Sequence, residues 1–523
     1  MLVFKLDSNE KNIIKMKKLL IISTLVLVFF ASFTSCKKNL LVEPRQSVDA
    51  NIVLTTRENV NAAILGVYAR LKNNRLYGRD LITHPEALSD NGFATNKSGR
   101  LVNEVNNVQG AHFLNWQLDY FAIAEANLIL AAIPSLNVAP AVTVAERNNW
   151  EGQLKFLRAL CYFDLVRTYA YDPGVGVQGL DRGGVPIVLT TPTTTSDAAS
   201  TILPRAKVDS VYAQIYRDLT AATTQLTTNL GSSAYPQLAT LTAAQSLFSR
   251  VALYNKDYAT CKTYADLAIA AVGSRLMSSA AYLNGWRTAI NPESIFELRF
   301  INPAENIGVN ESLQTSFTTL IVPGNVGLTG GFGDLVPQTT LLTDMGITAT
   351  FAGGIISSRS DDVRNLVYEQ GTAGRGTARV ECTKYMGKSG VQNLDNIPLI
   401  RVAELFLNRA EALSTPGSAV FNETAALADL IMLKQNRHSN YIITQQSADN
   451  ALTGIALFNE ILKQRRVEFA FEGHRFFDLK RRGVDIVKTA PYATLLYTDF
   501  KVLANIPTRE IDTNPKLEQN FGY

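Results

Sequence analysis

The residues whose types could do chemistry in this chain are few and far apart. Asp361-Asp362 could supply half of the carboxylate pair that glycoside hydrolysis needs. Adjacent acids point apart in most backbones, so the pair reads as a solvated loop. His84, His112, His438 and His474 are scattered, and each reads as a structural or surface histidine rather than a metal ligand. Cys36, Cys161, Cys261 and Cys382 have no close spacing, so zinc has little to bind and no disulfide framework is visible. Gly387-Lys388-Ser389 resembles the end of a phosphate-binding loop, but the upstream glycine position holds Cys382. The glycines at 324–334 lack the G-x-G-x-x-G order and any βαβ setting. G-x-S-x-G, H-E-x-x-H and C-x-x-C do not occur. The expectation is a protein with no catalytic residue, no metal and no cofactor.

The elements that must position any site are mostly helical. Val60, Ile64, Val67, Tyr68 and Leu71 repeat at helical spacing over Asn59 to Leu71. Trp116 to Ile133 carries another stripe, ended by Pro134. Asn149 to Tyr171 has two stripes, one through Trp150, Leu154, Leu157 and Cys161, the other through Phe156, Leu160 and Phe163. A helix apolar on two faces is buried on both, as in stacked helical layers. Trp116 and Trp150 therefore read as core. Residues 205–272 predict three helices. The last two flank the turn Asn255-Lys256-Asp257 and resemble a tetratricopeptide pair, with an ordinary helical hairpin as the equal alternative. Residues 396–414, 421–438 and 451–482 supply further helices. Between them, residues 275–395 are rich in Gly and Asn, and only Ser294 to Phe300 alternates like a strand. Binding sites concentrate in such loops.

The chain has 523 residues, 46% hydrophobic and 18% charged, which excludes a disordered polymer. Its formal net charge of +4 is no footprint for nucleic acid. Met16-Lys17-Lys18 opens a positive segment, Leu19 to Phe33 is apolar, and Thr34-Ser35-Cys36 follows. About 15 apolar residues fall short of the roughly 20 a membrane span needs, so this reads as a cleaved signal. It resembles a bacterial lipoprotein signal, with Cys36 lipidated and residues 1–15 an upstream extension. Removing residues 1–35 takes five lysines and two acids from totals of 50 and 46, leaving 45 basic and 44 acidic groups.

Four segments together carry a family resemblance: LRALCYFDLVR from Leu157 to Arg167, IRVAELFLNRAEA from Ile400 to Ala412, RRVEFAFEGHRFFDLKRRG from Arg465 to Gly483, and IPTREIDTNPKLEQNFGY up to Tyr523. They look like the SusD/RagB family of Bacteroidetes outer-membrane lipoproteins. The resemblance implies a mainly α fold, a tetratricopeptide-like scaffold with a loop-rich, small-strand ligand lobe. It divides the chain into a signal region at 1–35, an anchor and tether at 36–56, an N-terminal helical region at 57–274, an insertion lobe at 275–395 and a C-terminal helical region at 396–523. Residues 57–523 are expected to form one compact unit. The implied role is capture of oligosaccharides or polysaccharide fragments at the cell surface and their delivery to a SusC-like TonB-dependent β-barrel, without covalent chemistry and without nucleic acid. Surface lipoproteins of these bacteria often carry acids after the lipidated cysteine, whereas Lys37-Lys38-Asn39 follows here.

A sugar site needs an aromatic platform and a few placed polar groups. Two segments offer them. Arg75 to Asn107 contains Arg79, Asp90, Asn91, Phe93, Asn96, Lys97 and Arg100; Tyr282 to Asn310 contains Trp286, Arg287, Asn302 and Asn310. Asp90-Asn91-Gly92 is also a good turn sequence. Trp286 reads equally as platform or as packing. A peptide-binding member of the family, a surface glycosidase and a purely structural lipoprotein are the alternatives. Within the third motif, Arg465 with Glu468 and Arg475 with Asp478 are spaced to pair on a helix, as part of a buried ion-pair network. Gly473 is expected to interrupt that helix.

Overall fold

The computed structural model describes residues 12–13, 15–20, 54–138, 140–192, 202–227, 236–305 and 307–523. Cys36, the signal cleavage region and most of the tether lie outside the described residues. Leu54–Tyr523 forms one compact unit, distinct from Met1–Val53.

Within that unit, α1 (Arg57–Leu71) starts at the Thr56 cap, whose side chain accepts from the Asn59 amide. It buries Val60, Ile64, Val67, Tyr68 and Leu71, the stripe read from the sequence. After the short α2 (Asp80–Leu88) and strand β1 (Gly92–Ala94) comes α3 (Trp116–Ala132). The long α4 (Val144–Tyr169) opens with a Thr143–Glu146 capping box, and every residue from Phe156 to Tyr169 is buried. Its two stripes are covered by α3 on one side and α5 (Val208–Gln225) on the other. Packing then passes neighbour to neighbour, through α6 (Leu241–Tyr254) and α7 (Tyr258–Val272), as in repeat scaffolds. Small residues let α6 and α7 approach, and Phe248 stacks on Tyr264 at 4.1 Å. Cys161, Cys261 and Cys382 are free and buried, acting as small hydrophobes.

The chain leaves the helical layers at β2 (Ser294–Leu298), buried along its whole length. The insertion that follows is loop-rich, as expected, with a few short antiparallel strands set among its turns. Its strands are β3 (Leu335–Pro337), β4 (Ile347–Ala349), β5 (Ile356–Arg359), β6 (Tyr368–Gln370) and β7 (Val380–Cys382). β4 pairs with β5, β6 with β7, and β3 reaches back to β1, all antiparallel. The expected helix at 396–414 is corrected at its start. Residues Ile397–Arg401 form β8, antiparallel to β2. Proline biases the residue before it toward extended backbone, and the apolar run satisfies its backbone on β2. The helix α8 (Val402–Ser414) follows, buried except at Arg409, and packs on α7, α9 (Glu423–Gln435) and α10 (Gly454–Glu468). The helical segment at 451–482 is interrupted at Gly473, as expected, and α11 (Arg475–Lys480) is separated from α10 by the turn there.

The third motif is the centre of a buried charge network, with partners that differ from the helical spacing. Arg465 pairs with Asp478 at 2.9 Å, and Arg475 pairs with Asp90 at 2.7 Å. Glu468 instead meets Arg401 and Arg437, each at 3.0 Å, and Arg364 at 3.4 Å. Arg401 and Arg437 also share Glu293, at 2.9 and 2.6 Å. The turn at Gly473 folds α11 back, so tertiary partners outcompete the intrahelical ones. Burial raises the Glu468 carboxyl, but Arg437, Arg401 and Arg364 overcome that and hold it far below the usual carboxylate range.

Candidate ligand surface

β1 sets out the first ring. Gly92 and Ala94 are buried while Phe93, between them, is half-exposed, as the period-two pleat requires. Phe351 and Phe93 form a T-shaped pair with centroids 4.9 Å apart at 89°, and Tyr492 lies 5.6 Å from Phe93. The Tyr492 hydroxyl accepts from the Ala94 amide at 3.1 Å, which fixes that ring beside β1. Arg379, just before β7, lies over Phe351 at 4.2 Å and over Phe93 at 5.4 Å. It donates to the Phe351 carbonyl at 2.7 Å. Gly354 permits this approach. Its φ is +61°, and a Cβ there would stand 2.3 Å from the Arg379 carbonyl carbon.

A second aromatic group lies along the same hairpins. Phe332, also half-exposed, is three residues before β3, whose Val336 pairs with Phe93. Arg375 lies over its ring at 4.1 Å and Arg100 at 5.0 Å. Arg100 also pairs with Asp334 at 2.8 Å, and Ser98 donates to that same carboxylate at 2.6 Å. Lys97 pairs with Glu381 at 3.4 Å. Burial raises Glu381, opposed by Lys97 and by donors from Thr318 and Thr319. The result is a surface of half-exposed rings interleaved with guanidiniums. Rings can cover the C–H face of a sugar, and fixed donors can meet its oxygens.

A cavity of about 280 Å³ lies in the same lobe, lined by Trp286, Arg287, Ile321, Val322, Met386 and Lys388 among others. Trp286 is only 1% exposed, so it is a cavity wall and core residue, not an open platform. Lys384 and Arg401 face its ring at 4.9 and 5.3 Å. Arg287 is held by Glu369 at 3.1 Å and by Thr383.

The remaining sequence candidates fall in several places. Arg79 bridges Asp80, at 2.7 Å, and Glu311, beside the exposed Asn310. Asp90 is taken by Arg475 and Arg466, and Asn91 by Glu86 and Arg466, so both serve the scaffold. The stretch expected to be a loop at 75–107 is therefore largely ordered, because its polar groups are spent on internal partners. Asn96 is exposed, with φ +57°, next to Lys97 on the aromatic surface, where Arg100 also lies. Asn302 edges a separate hollow with Phe300. Asp361 accepts from Thr444 at 2.7 Å and meets His438 at 3.1 Å, while Asp362 is held by Arg364, which accounts for the adjacent acids. Sequence reasoning missed Phe332, Phe351, Arg375, Arg379 and Tyr492. One signal was present, since Gly331-Phe332-Gly333 and Phe351-Ala352-Gly353-Gly354 set a ring among residues without side chains to cover it.

Comparison with known proteins bears on both lobes. Residues 40–253 match a family model described as starch-binding and associating with the outer membrane, and residues 375–523 match the SusD family model. SusD-like protein P38 of Formosa agariphila is 24% identical over 542 residues, covering 96% of this chain and 98% of that protein. A SusD superfamily protein from Bacteroides thetaiotaomicron has a similar fold, with a TM-score of 0.73 at 23% identity over 89% of this chain and 100% of the other. A laminarin-binding SusD-like protein aligns with a TM-score of 0.63 at 20% identity, covering 90% and 100% of the two chains. With matched models at both ends, relatives spanning nearly the full length and the same helical fold, the chain belongs to the SusD/RagB family.

Proposed function

We propose that this protein binds oligosaccharides or polysaccharide fragments at the outer-membrane surface and passes them to a SusC-like TonB-dependent barrel, making and breaking no covalent bond. The observation that carries the reading is the set of half-exposed rings, Phe93, Phe332, Phe351 and Tyr492, interleaved with guanidiniums on the hairpin lobe. The outer-membrane association described for the matching family model and the lipoprotein-like signal ending at Cys36 support the location. The laminarin-binding relative supports a carbohydrate ligand. An aromatic-rich surface favours sugars over peptides, because ring C–H faces need flat apolar partners.

Calorimetric titration of the purified protein with neutral oligosaccharides, polysaccharide fragments and peptide mixtures tests this. Phe351→Ala and Tyr492→Ala are expected to weaken glycan binding roughly tenfold, about 1.4 kcal/mol, with little change in melting temperature. Binding of peptides alone, or glycan binding untouched by both substitutions, would overturn the reading.

A further inference from the structure

The charges on the aromatic surface do not balance. Lys97, Arg100, Arg375 and Arg379 face two carboxylates, Asp334 and Glu381. Those two are matched to Arg100 and Lys97 and are buried. Arg375 and Arg379 are left over. Among the described residues neither forms an ion pair; Arg375 rests on Phe332, and Arg379 on Phe351 and its carbonyl. The scaffold treats its arginines differently, since Arg364, Arg401, Arg437, Arg465 and Arg481 each pair with a carboxylate. Burial lowers the Arg379 pKa, and the Tyr492 phenol, not a carboxylate, acts against that. Two guanidiniums four residues apart in the chain, Arg375 exposed and Arg379 half-buried, thus stand on rings without a carboxylate partner among the described residues.

A neutral sugar gives such a pair hydroxyl oxygens but no charge. A ring bearing a carboxylate or a sulfate gives both a C–H face for the phenyl rings and an anion for the planar, forked donors. Resting on the proposal that this is the glycan surface, we infer that it selects anionic glycans, with Arg375 and Arg379 as the residues that read the charge. The shared chemistry is a sugar ring carrying a fixed negative group, whether uronate or sulfate ester.

The test compares dissociation constants of the purified protein for size-matched neutral, uronate-containing and sulfated oligosaccharides, at low and near-physiological salt. One anionic class is expected to bind roughly tenfold or more tightly than the neutral one, and salt should narrow the gap. The sulfated and uronate arms identify which anion is read. The double variant R375A/R379A should erase the preference, while R375K/R379K, which keeps the charge, should retain part of it. Melting temperatures report whether each variant is folded. Equal affinity for neutral and anionic ligands, or a preference that survives R375A/R379A, overturns the inference. Neutral binding that Phe351→Ala abolishes, without anionic preference, would leave the glycan surface standing and this inference fallen. Absence of binding to every oligosaccharide overturns both.

Discussion

Asp395 illustrates what a single buried group contributes. One carboxylate oxygen accepts from the Gly387 amide at 3.3 Å, and the other has no protein partner among the described residues. Burial pushes its pKa up to about 6, against Lys388 and the Gly387 amide. A carboxyl raised in the folded state is most stabilising when protonated. Its contribution is fully present below the unfolded value of about 3.9 and is lost as pH rises through about 6. Asp395→Asn should therefore stabilise the protein by roughly 1–3 kcal/mol above neutral pH, with the gain vanishing below about pH 4. Urea unfolding at the two extremes measures it; equal stability of both proteins at both pH values would show that Asp395 ionises without cost. Asp90 behaves oppositely. Burial raises it, but Arg475 and Arg466 outweigh that and lower it. Asp90, offered by the sequence as a ligand contact or as a turn residue, pairs with arginines lying 376 and 385 residues away in the chain.

At the level of elements, the turn between α10 and α11 joins the third motif to the N-terminal segment. Gly473 has φ +84°, and a Cβ there would lie 2.4 Å from the Leu81 carbonyl oxygen and 3.0 Å from the Ile82 Cα, both in α2. Its amide donates to Glu86 at 3.0 Å. Gly473→Ala is predicted to cost about 2–4 kcal/mol, combining left-handed strain with overpacking against backbone. A fall in the denaturant midpoint would register this, and a variant as stable as the parent would mean that α2 can retreat freely. The break in the helix was legible, because glycine after Phe471-Glu472 interrupts a helical pattern. The direction of α11 after the break was not, because it depends on α2 lying within reach.

Across the whole molecule, one charge network links parts that the sequence keeps apart. Glu293 lies beside β2, Arg364 in the insertion, Arg401 on β8, Arg437 after α9 and Glu468 on α10. Removing one member leaves buried charges without partners. Glu468→Gln is predicted to destabilise by about 3–5 kcal/mol. Lys262→Ala, which breaks the Lys262–Asp266 pair of half-exposed side chains, should change stability by less than about 1 kcal/mol. Chemical denaturation of both variants compares them. Similar effects would refute the view that this network, rather than surface pairing, ties the helical layers to the hairpin lobe.

The amino-acid sequence by itself determined the helical layers, from Val60 to Leu71 and from Phe156 to Cys161, because period and burial are local properties of neighbouring side chains. It also carried the family, through four ordered motifs. The tertiary structure alone decided that Ile397–Arg401 is a strand, since β2 lies about 100 residues earlier. It decided that Trp286 is wall rather than platform, and that Arg465 prefers Asp478 to Glu468. It likewise gathered Phe93, Phe351, Arg379 and Tyr492, and set Arg375 on Phe332. Partner choice in a folded core depends on which groups meet after the chain turns, and a linear pattern holds no record of those meetings.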